Sequence, residues 1–377
     1  MGDTITGNDI IKAFEEWCPK HLAFDWDKVG LQIGTLNKKV DNVMVTLDVL
    51  ENVVDEAIEK DVDLIISHHP IIFKPLEQIN PDQPKGRAIQ KLLKHDISVY
   101  AAHTNLDVVE GGVNDAMAKA VGVETTSPLL KTDKEKLIKL TVFVPADYAD
   151  ALKEAIHQAG AGHIGAYSHC SFSIDGQGQF KPSDASDPFI GEQGKLEKVE
   201  EKRVETILPQ RLLKPVLQAM EEAHPYEEVA YDLYPLLNEG RSIGVGRIGE
   251  LPEPMTLKDF SEQVKRGYDI PNLRVVGNLD KKVKKVALLG GSGEKYIHLA
   301  KRNGADVYIT GDMTLHPAQE ALEMGLSIID PGHHVEKVMK QVVKSYLDAR
   351  FNAENKQLTI YESNANTEPF QFLYNQR

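Results

Sequence analysis

Residues 64–70, Leu64-Ile65-Ile66-Ser67-His68-His69-Pro70, set a short apolar run directly before two histidines and a proline. A run of that length, β-branched and ended by a breaker, reads as a buried strand. Upstream, Val43-Met44-Val45-Thr46-Leu47 is a second such run, and Val53, Val54, Ala57 and Ile58 between the two share one helix face. Downstream, Ile97-Ser98-Val99-Tyr100-Ala101 is a third strand, and Gly111-Gly112 introduces a helical pattern over 113–121. Strands alternating with helices predict an α/β fold: a largely parallel mixed sheet with helices on both faces. In such sheets ligands and catalysis collect at the carboxyl ends of the strands.

The same texture returns late in the chain. Val283–Leu289 runs into Gly290-Gly291-Ser292-Gly293, Val307-Tyr308-Ile309 into Thr310-Gly311-Asp312, and Ser327-Ile328-Ile329 into Asp330-Pro331-Gly332. Between them the pattern changes to strand (137–144), helix (148–157), strand (171–174), strand (204–208), helix (212–223) and strand (229–234). Two β-α-β units of this kind predict an inserted ferredoxin-like α+β domain. Its polar excursion, Asp175 to Glu201, carries Gly176, Gly178, Gly191 and Gly194 and reads as a hairpin or loop. The expected organisation is 1–129 and 241–377 as two parts of one α/β domain, with 130–240 inserted.

Composition limits the functions available. The chain has 377 residues, 41% hydrophobic and 27% charged, enough apolar material for a real core. Its 43 Lys and Arg against 57 Asp and Glu leave a net charge of −14, the wrong sign for gripping nucleic acid through phosphates. Cys18 and Cys170 are the only cysteines, which excludes a disulfide framework or a thiolate zinc site. The first residues lack the basic and apolar regions of a secretory signal, and no segment reaches the ~20 apolar residues of a membrane span. The expected location is the cytoplasm. Near the start, Thr6 with Asp9 is a capping-box pair ahead of the helical positions Ile10, Ile11, Phe14 and Trp17.

Three clusters rich in metal-ligating side chains follow predicted strands: Ser67-His68-His69-Pro70, His103-Thr104-Asn105-Leu106-Asp107 and Gly332-His333-His334-Val335-Glu336. Within a regular strand, His68 and His69 point to opposite faces, one packed and one solvated. At a strand end the chain leaves the pleat, and Pro70 drives His69 toward extended geometry, so both rings can turn into one cavity. His333 and Glu336 share one face at the start of a predicted helix, whereas His334 points elsewhere. Taken singly, Glu336 suits a helix first turn and Asp107 a cap. Together, three imidazoles and two carboxylates at the carboxyl edge of one sheet are too many for a single open four-coordinate metal. They suit two divalent cations, bridged by Asp107 or Glu336, that activate a water between them. His103 is a ligand, an outer partner that steadies a ligand, or a proton carrier.

Other motifs are less specific. Gly290-Gly291-Ser292-Gly293-Glu294 has the composition of an anion-binding nest or of a tight turn. Thr310-Gly311-Asp312 and His316 end the neighbouring strand and line the same cleft, or else His316-Pro317 starts a helix. His224-Pro225-Tyr226-Glu227-Glu228, at a helix-to-strand junction, reads as structural. The stretch from Asp25 to Gly34, with Trp26 and two glycines, reads as a packed turn.

Collectively these pieces resemble the Nif-three-like family, whose members carry the label GTP cyclohydrolase 1 type 2 homolog. They are Trp26-Asp27-Lys28-Val29-Gly30-Leu31, His68-His69-Pro70, His103 through Asp107, Gly311-Asp312 with His316, and Gly332-His333 with Glu336, and they span nearly the whole chain. The resemblance implies a dinuclear divalent-metal protein that assembles as a toroidal hexamer. It implies His68, His69, Asp107, His333 and Glu336 as metal ligands, and a CutA-like or PII-like inserted domain. Short members place the last Glu four residues after the His; here the gap is three. Zinc, iron and manganese all accept this donor set. Two functions follow as expectations: a metal-dependent hydrolase acting on a small nucleotide-like or phosphate-bearing ligand, or a metal-containing regulatory protein whose inserted domain senses a ligand. A structural oligomer with fortuitous histidines is the third.

Overall fold

Thr6 caps the first helix, Gly7–Trp17, as its spacing to Asp9 requires: the Thr6 hydroxyl accepts from Asp9 N–H while the Asp9 carboxylate accepts from Thr6 N–H. The computed structural model describes residues 4–354 and 356–373. The chain forms two units, Met1–Thr132 with Ile243–Arg377, and Asp133–Ser242.

The first segment of unit 1 carries β1 (Gly30–Ile33), β2 (Asn42–Thr46), β3 (Leu64–Ser67), β4 (Ser98–Ala101) and β5 (Glu124–Lys134). Unit 2 carries β6 (Leu137–Pro145), β7 (Ser171–Phe180), β8 (Glu197–Pro209) and β9 (Tyr231–Pro235). Unit 1 resumes with β10 (Ser242–Thr256), β11 (Arg274–Val276), β12 (Lys282–Ser292), β13 (Val307–Gly311), β14 (Ser327–Asp330) and β15 (Thr359–Glu362).

Among the described residues, unit 1 has two sheets where one was expected. The first has the order β1-β4-β3-β2-β15 and the second β11-β14-β13-β12-β10-β5. The strands read from the sequence form the parallel centre of each: β4-β3-β2 in one and β12-β13-β14 in the other. Antiparallel β1, β10 and β11 border them, and β15 returns from the C-terminal region to pair with β2 in parallel. Periodicity identifies a buried strand but not its neighbour, which is why the two sheets merged in the sequence reading.

Alternate residues of each central strand face different cores. Val43, Val45, Leu64 and Ile66 of one sheet and Val286, Leu288, Val307 and Ile309 of the other share a middle layer with Phe14, Met117, Phe260 and Leu347 of four helices. Met44, Ile65 and Val99 face outward onto the helices Glu51–Glu59 and Pro84–Lys94. Ala287, Tyr308 and Ile328 face outward onto Ile297, Ala300 and Ala321. Burial on both faces explains why these strands are continuously apolar.

Unit 2 has the strand order β7-β8-β6-β9, antiparallel throughout, with helices Ala149–Gln158 and Leu213–Ala223 packed on one face around Leu140, Val142, Leu152 and Met220. This is a β-α-β-β-α-β topology. The Asp175–Glu201 excursion is the far end of the long β7–β8 hairpin. His224 serves this fold: its Nε2–H donates to Phe143 O at 2.9 Å and its Nδ1 accepts from Tyr226 N–H at 3.1 Å. Among the described residues, no helix is long and apolar enough to cross a membrane.

Candidate metal centre

The first sheet delivers four side chains. Past β3 the chain stays bonded to the end of β2, with His68 N–H on Thr46 O and His69 N–H on Leu47 O. Both rings nonetheless enter one cluster, their centroids 5.1 Å apart, so the alternation of a regular strand has ended. His68 is fully buried, and its Nδ1 lies 2.9 Å from Ala102 O. A carbonyl only accepts, so the proton sits on Nδ1 and the Nε2 lone pair is left for a ligand. That Nε2 is 3.6 Å from Asp107 Oδ1 and 3.7 Å from Glu336 Oε2. His69 is held at Nδ1 by Asp48 Oδ1 (2.7 Å) and meets Glu336 Oε2 through Nε2 (3.1 Å). His103 and Asp107 follow β4, His103 just before and Asp107 within the short helix Thr104–Val108.

The second sheet delivers the rest, so the groups do not lie on one sheet edge as expected. After β14, Gly332 takes φ +84° and the chain enters a 3-10 turn, His333–Val338, rather than the α-helix anticipated. With three residues per turn, positions three apart eclipse. That accounts for the three-residue spacing: His333 Nε2 reaches Glu336 Oε2 at 3.2 Å. His333 Nδ1 is held by Asp312 Oδ2 at 2.8 Å. Asn114 joins the two halves, donating to Asp107 O and accepting from Gly290 N–H, both at 2.9 Å.

The glycine run makes room for these side chains. β12 continues through Gly290 and Gly291 to Ser292. A Cβ at Gly290 would stand 2.7 Å from Glu336 Oε1, and one at Gly291 (φ +65°) 3.0 Å from the same atom and 3.2 Å from His333 Nε2. Gly290 N–H is taken by Asn114 and is not free for an anion, and the close approach of Glu336 and His333 accounts for glycine at both positions.

Glu336 is 2% exposed, and three imidazoles surround its Oε2. Burial penalises its charge, but His68, His333 and His69 outweigh that and hold it well below the usual carboxylate range. Burial likewise opposes a charge on His69, yet Asp48 and Glu336 raise it to about 10. His333 is raised against its burial to about 9 by Glu336 and Asp312. Asp107 is pushed up to about 6 by burial, with His68 opposing and Glu336 adding to the shift.

This donor set fits a cation. His68 Nε2 and Asp107 Oδ1 are buried without a hydrogen-bond partner, which costs free energy unless something binds them. Among the described residues, three groups could each hold a metal ion, their ligand atoms within 4.8 Å of one another: His68 with His69 and His103, His69 with His333 and Glu336, and His68 with Asp107 and Glu336. The five residues that the resemblance implies as ligands, and His103, are all in these groups. His334 is not; its Nε2 lies 3.0 Å from the Thr367 hydroxyl. Neither is His316, which starts the helix Leu315–Glu323 and pairs with Gln319.

Four supporting residues are given no role by the sequence, although Asp27 lies in the Trp26–Leu31 stretch that carries the resemblance. Asp48 holds His69, Thr367 donates to Asp48 Oδ2 at 2.6 Å, Asn114 bridges the halves, and Asp27 stands 3.1 Å from His103 Nδ1. Asp48 had a readable signal, a carboxylate directly past a strand end. Asp27 sat within the stretch read as a packed turn, and it does brace one, accepting from Thr104 N–H and hydroxyl at 2.9 and 2.6 Å.

A profile of the Duf34/NIF3 family (NGG1p interacting factor 3) matches residues 5–369. A Bacillus subtilis (strain 168) protein called GTP cyclohydrolase 1 type 2 homolog is 54% identical over 373 residues, covering 99% of this chain and 100% of that relative. A Staphylococcus aureus (strain MW2) protein of the same name is 37% identical over 365 residues, 97% of this chain and 99% of that relative. The solved structure of a Bacillus cereus protein related to NIF3 matches with a TM-score of 0.88 at 52% identity, over 99% of this chain and 100% of that one.

Proposed function

Since the chain belongs to the Duf34/NIF3 family, we propose that it is a hydrolase dependent on two divalent cations and acting on a nucleotide-like substrate. The observation that carries this reading is the buried Glu336 carboxylate, shared by two overlapping donor groups, one with His69 and His333 and the other with His68 and Asp107. One carboxylate serving two donor sets is what a bridged pair of cations requires. His68, His69, Asp107, His333 and Glu336 are the proposed ligands, with zinc, iron or manganese as the candidate ions. Such ions supply a water of lowered pKa and polarise the bond under attack.

The chain's own residues do the rest. Asp48 and Asp312 fix the orientation of His69 and His333 by occupying their Nδ1 atoms. Asp27 faces Nδ1 of His103, leaving the other ring nitrogen to exchange a proton. His103 is therefore the proposed proton carrier. The test is to load the purified protein with zinc, manganese or iron and offer GTP and other phosphate esters. Turnover above a His69→Ala background is expected for at least one pairing; none for any pairing refutes the enzyme.

A second reading rests on unit 2, which has its own core and topology. Here the metals serve assembly and unit 2 acts as a PII-like sensor. Joining Thr132 to Ile243, already linked by a hydrogen bond of 3.3 Å, removes unit 2. Retained catalysis in that chain favours the hydrolase, and retained regulation rejects the sensor.

A further inference from the structure

Beside the ligand cluster stand aromatic rings that the centre's chemistry does not use. Trp26 is 56% exposed and Phe73 52%. Their centroids are 6.1 Å apart, and each stands edge-on to His103, at 6.1 and 6.2 Å. His103 lies in turn 5.2 Å from the ring of His68. Open aromatic surface thus continues without a break into the ligand cluster.

The exposure of Trp26 is not slack. On one side of it, Phe24 N–H donates to the Thr104 hydroxyl at 3.0 Å. On the other, Asp27 is buried, with its N–H on Phe24 O and its carboxylate on Thr104. The backbone is therefore pinned on both sides of a large ring left facing solvent. Apolar surface held in water forgoes the gain of burial and marks a binding surface. Its occupant has to be flat, to lie on a ring face, and has to carry polar atoms, because the same wall ends in imidazoles and carboxylates.

We propose that Trp26 and Phe73, which cross at 67°, form an aromatic corner for a planar heteroaromatic ring, such as a purine base, one ring stacking on it and the other meeting its edge, and so place the remainder of that molecule over the ligand cluster. The proposal rests on the nucleotide-like substrate proposed above and assigns the residues that select for a ring. Every nucleobase offers a π-face, so stacking of this kind tolerates different bases.

The chain has two tryptophans, Trp17 and Trp26. Trp17 stacks on Tyr346, so Trp17→Phe leaves Trp26 as the sole reporter while keeping a ring in that stack. The Trp17→Phe protein, metal-free and zinc-loaded, is titrated with guanosine, GTP, ribose 5-phosphate and tripolyphosphate while Trp26 emission is followed. Guanosine and GTP are expected to quench it and the ring-free probes to leave it unchanged. Phe73→Ala in this background is expected to weaken guanosine binding roughly ten-fold, with metal content unchanged. No quenching, or equal quenching by ring-free probes, overturns the corner, and this arm needs no change to the corner itself. Quenching without any turnover keeps the corner and rejects the hydrolase. Turnover of GTP with KM unaltered in both Trp26→Ala and Phe73→Ala keeps the hydrolase and rejects the corner.

Discussion

Asp48 Oδ1 stands 2.7 Å from His69 Nδ1, and its second oxygen accepts the Thr367 hydroxyl at 2.6 Å. The histidine's orientation is thus set by a carboxylate that is itself set by the C-terminal stretch. Asp48→Asn is expected to lower metal affinity roughly 10–100-fold, and Thr367→Val to lower it less, as read by competition with a chromophoric chelator. Unchanged affinity in Asp48→Asn removes Asp48 from the centre.

Glu336→Gln tests the shared carboxylate. Its Oε2 lies 3.1 Å from His69 Nε2 and 3.2 Å from His333 Nε2. Elemental analysis should find tightly held metal lost from the variant. In the metal-free chain, histidine signals followed by NMR should show His69 and His333 titrating closer to their ordinary 6.5. A variant with full metal content would show that the two donor groups act independently.

Protonation opposes metal uptake. In the metal-free chain, His69 is at about 10 and His333 at about 9, against an ordinary value of 6.5. A histidine raised on folding stabilises the fold fully below its unfolded value and ceases to do so as pH rises through the folded one. That contribution is therefore whole below about 6.5, falls steadily as pH rises, and is gone by about 9 for His333 and about 10 for His69. Cations must displace the same protons. Apparent metal affinity is expected to rise with pH up to about 9–10, and loading near pH 7.5 to release protons from His69 and His333. Calorimetry in buffers of different ionisation enthalpy measures that release, and an affinity independent of pH would contradict the raised values.

Gly290→Ala places a Cβ 2.7 Å from Glu336 Oε1. The expected outcome is a folded chain, by circular dichroism, with reduced metal content. Normal content would mean that Glu336 can retreat without cost to the centre.

Glu56 fastens the segment that carries Thr367. Its carboxylate accepts from Ser363 Oγ, Asn364 N–H, Ala365 N–H and Lys60, and these bonds overcome its burial to hold it down at about 2. A depressed carboxylate stabilises above its unfolded value near 4.5, and the gain is lost as pH falls toward 2. Glu56→Ala is expected to cost about 1–3 kcal/mol, read as a lowered Tm at neutral pH that converges with the parent in acid.

Much of this was legible in the sequence for a physical reason. The central strands are apolar on both faces, and each ligand pair sits directly past one of them, so composition and position spoke together at His68-His69 and at His333 with Glu336. Pairing between distant strands leaves no local trace, and the division into two sheets was hidden with it. Residues such as Asn114 and Thr367 are ordinary polar positions until folding brings Asp107 and Asp48 beside them. The 3-10 turn at His333–Val338 was likewise read as helix, because a spacing of three suits either geometry.

His68, His69, His103 and Asp107 precede Asp133–Ser242 in the chain, whereas His333 and Glu336 follow it. During synthesis the early histidines leave the ribosome long before the carboxylate that joins them. A nascent polypeptide halted before residue 333 has only the donor group of His68, His69 and His103, and the two groups that share Glu336 form only after unit 2 has been made.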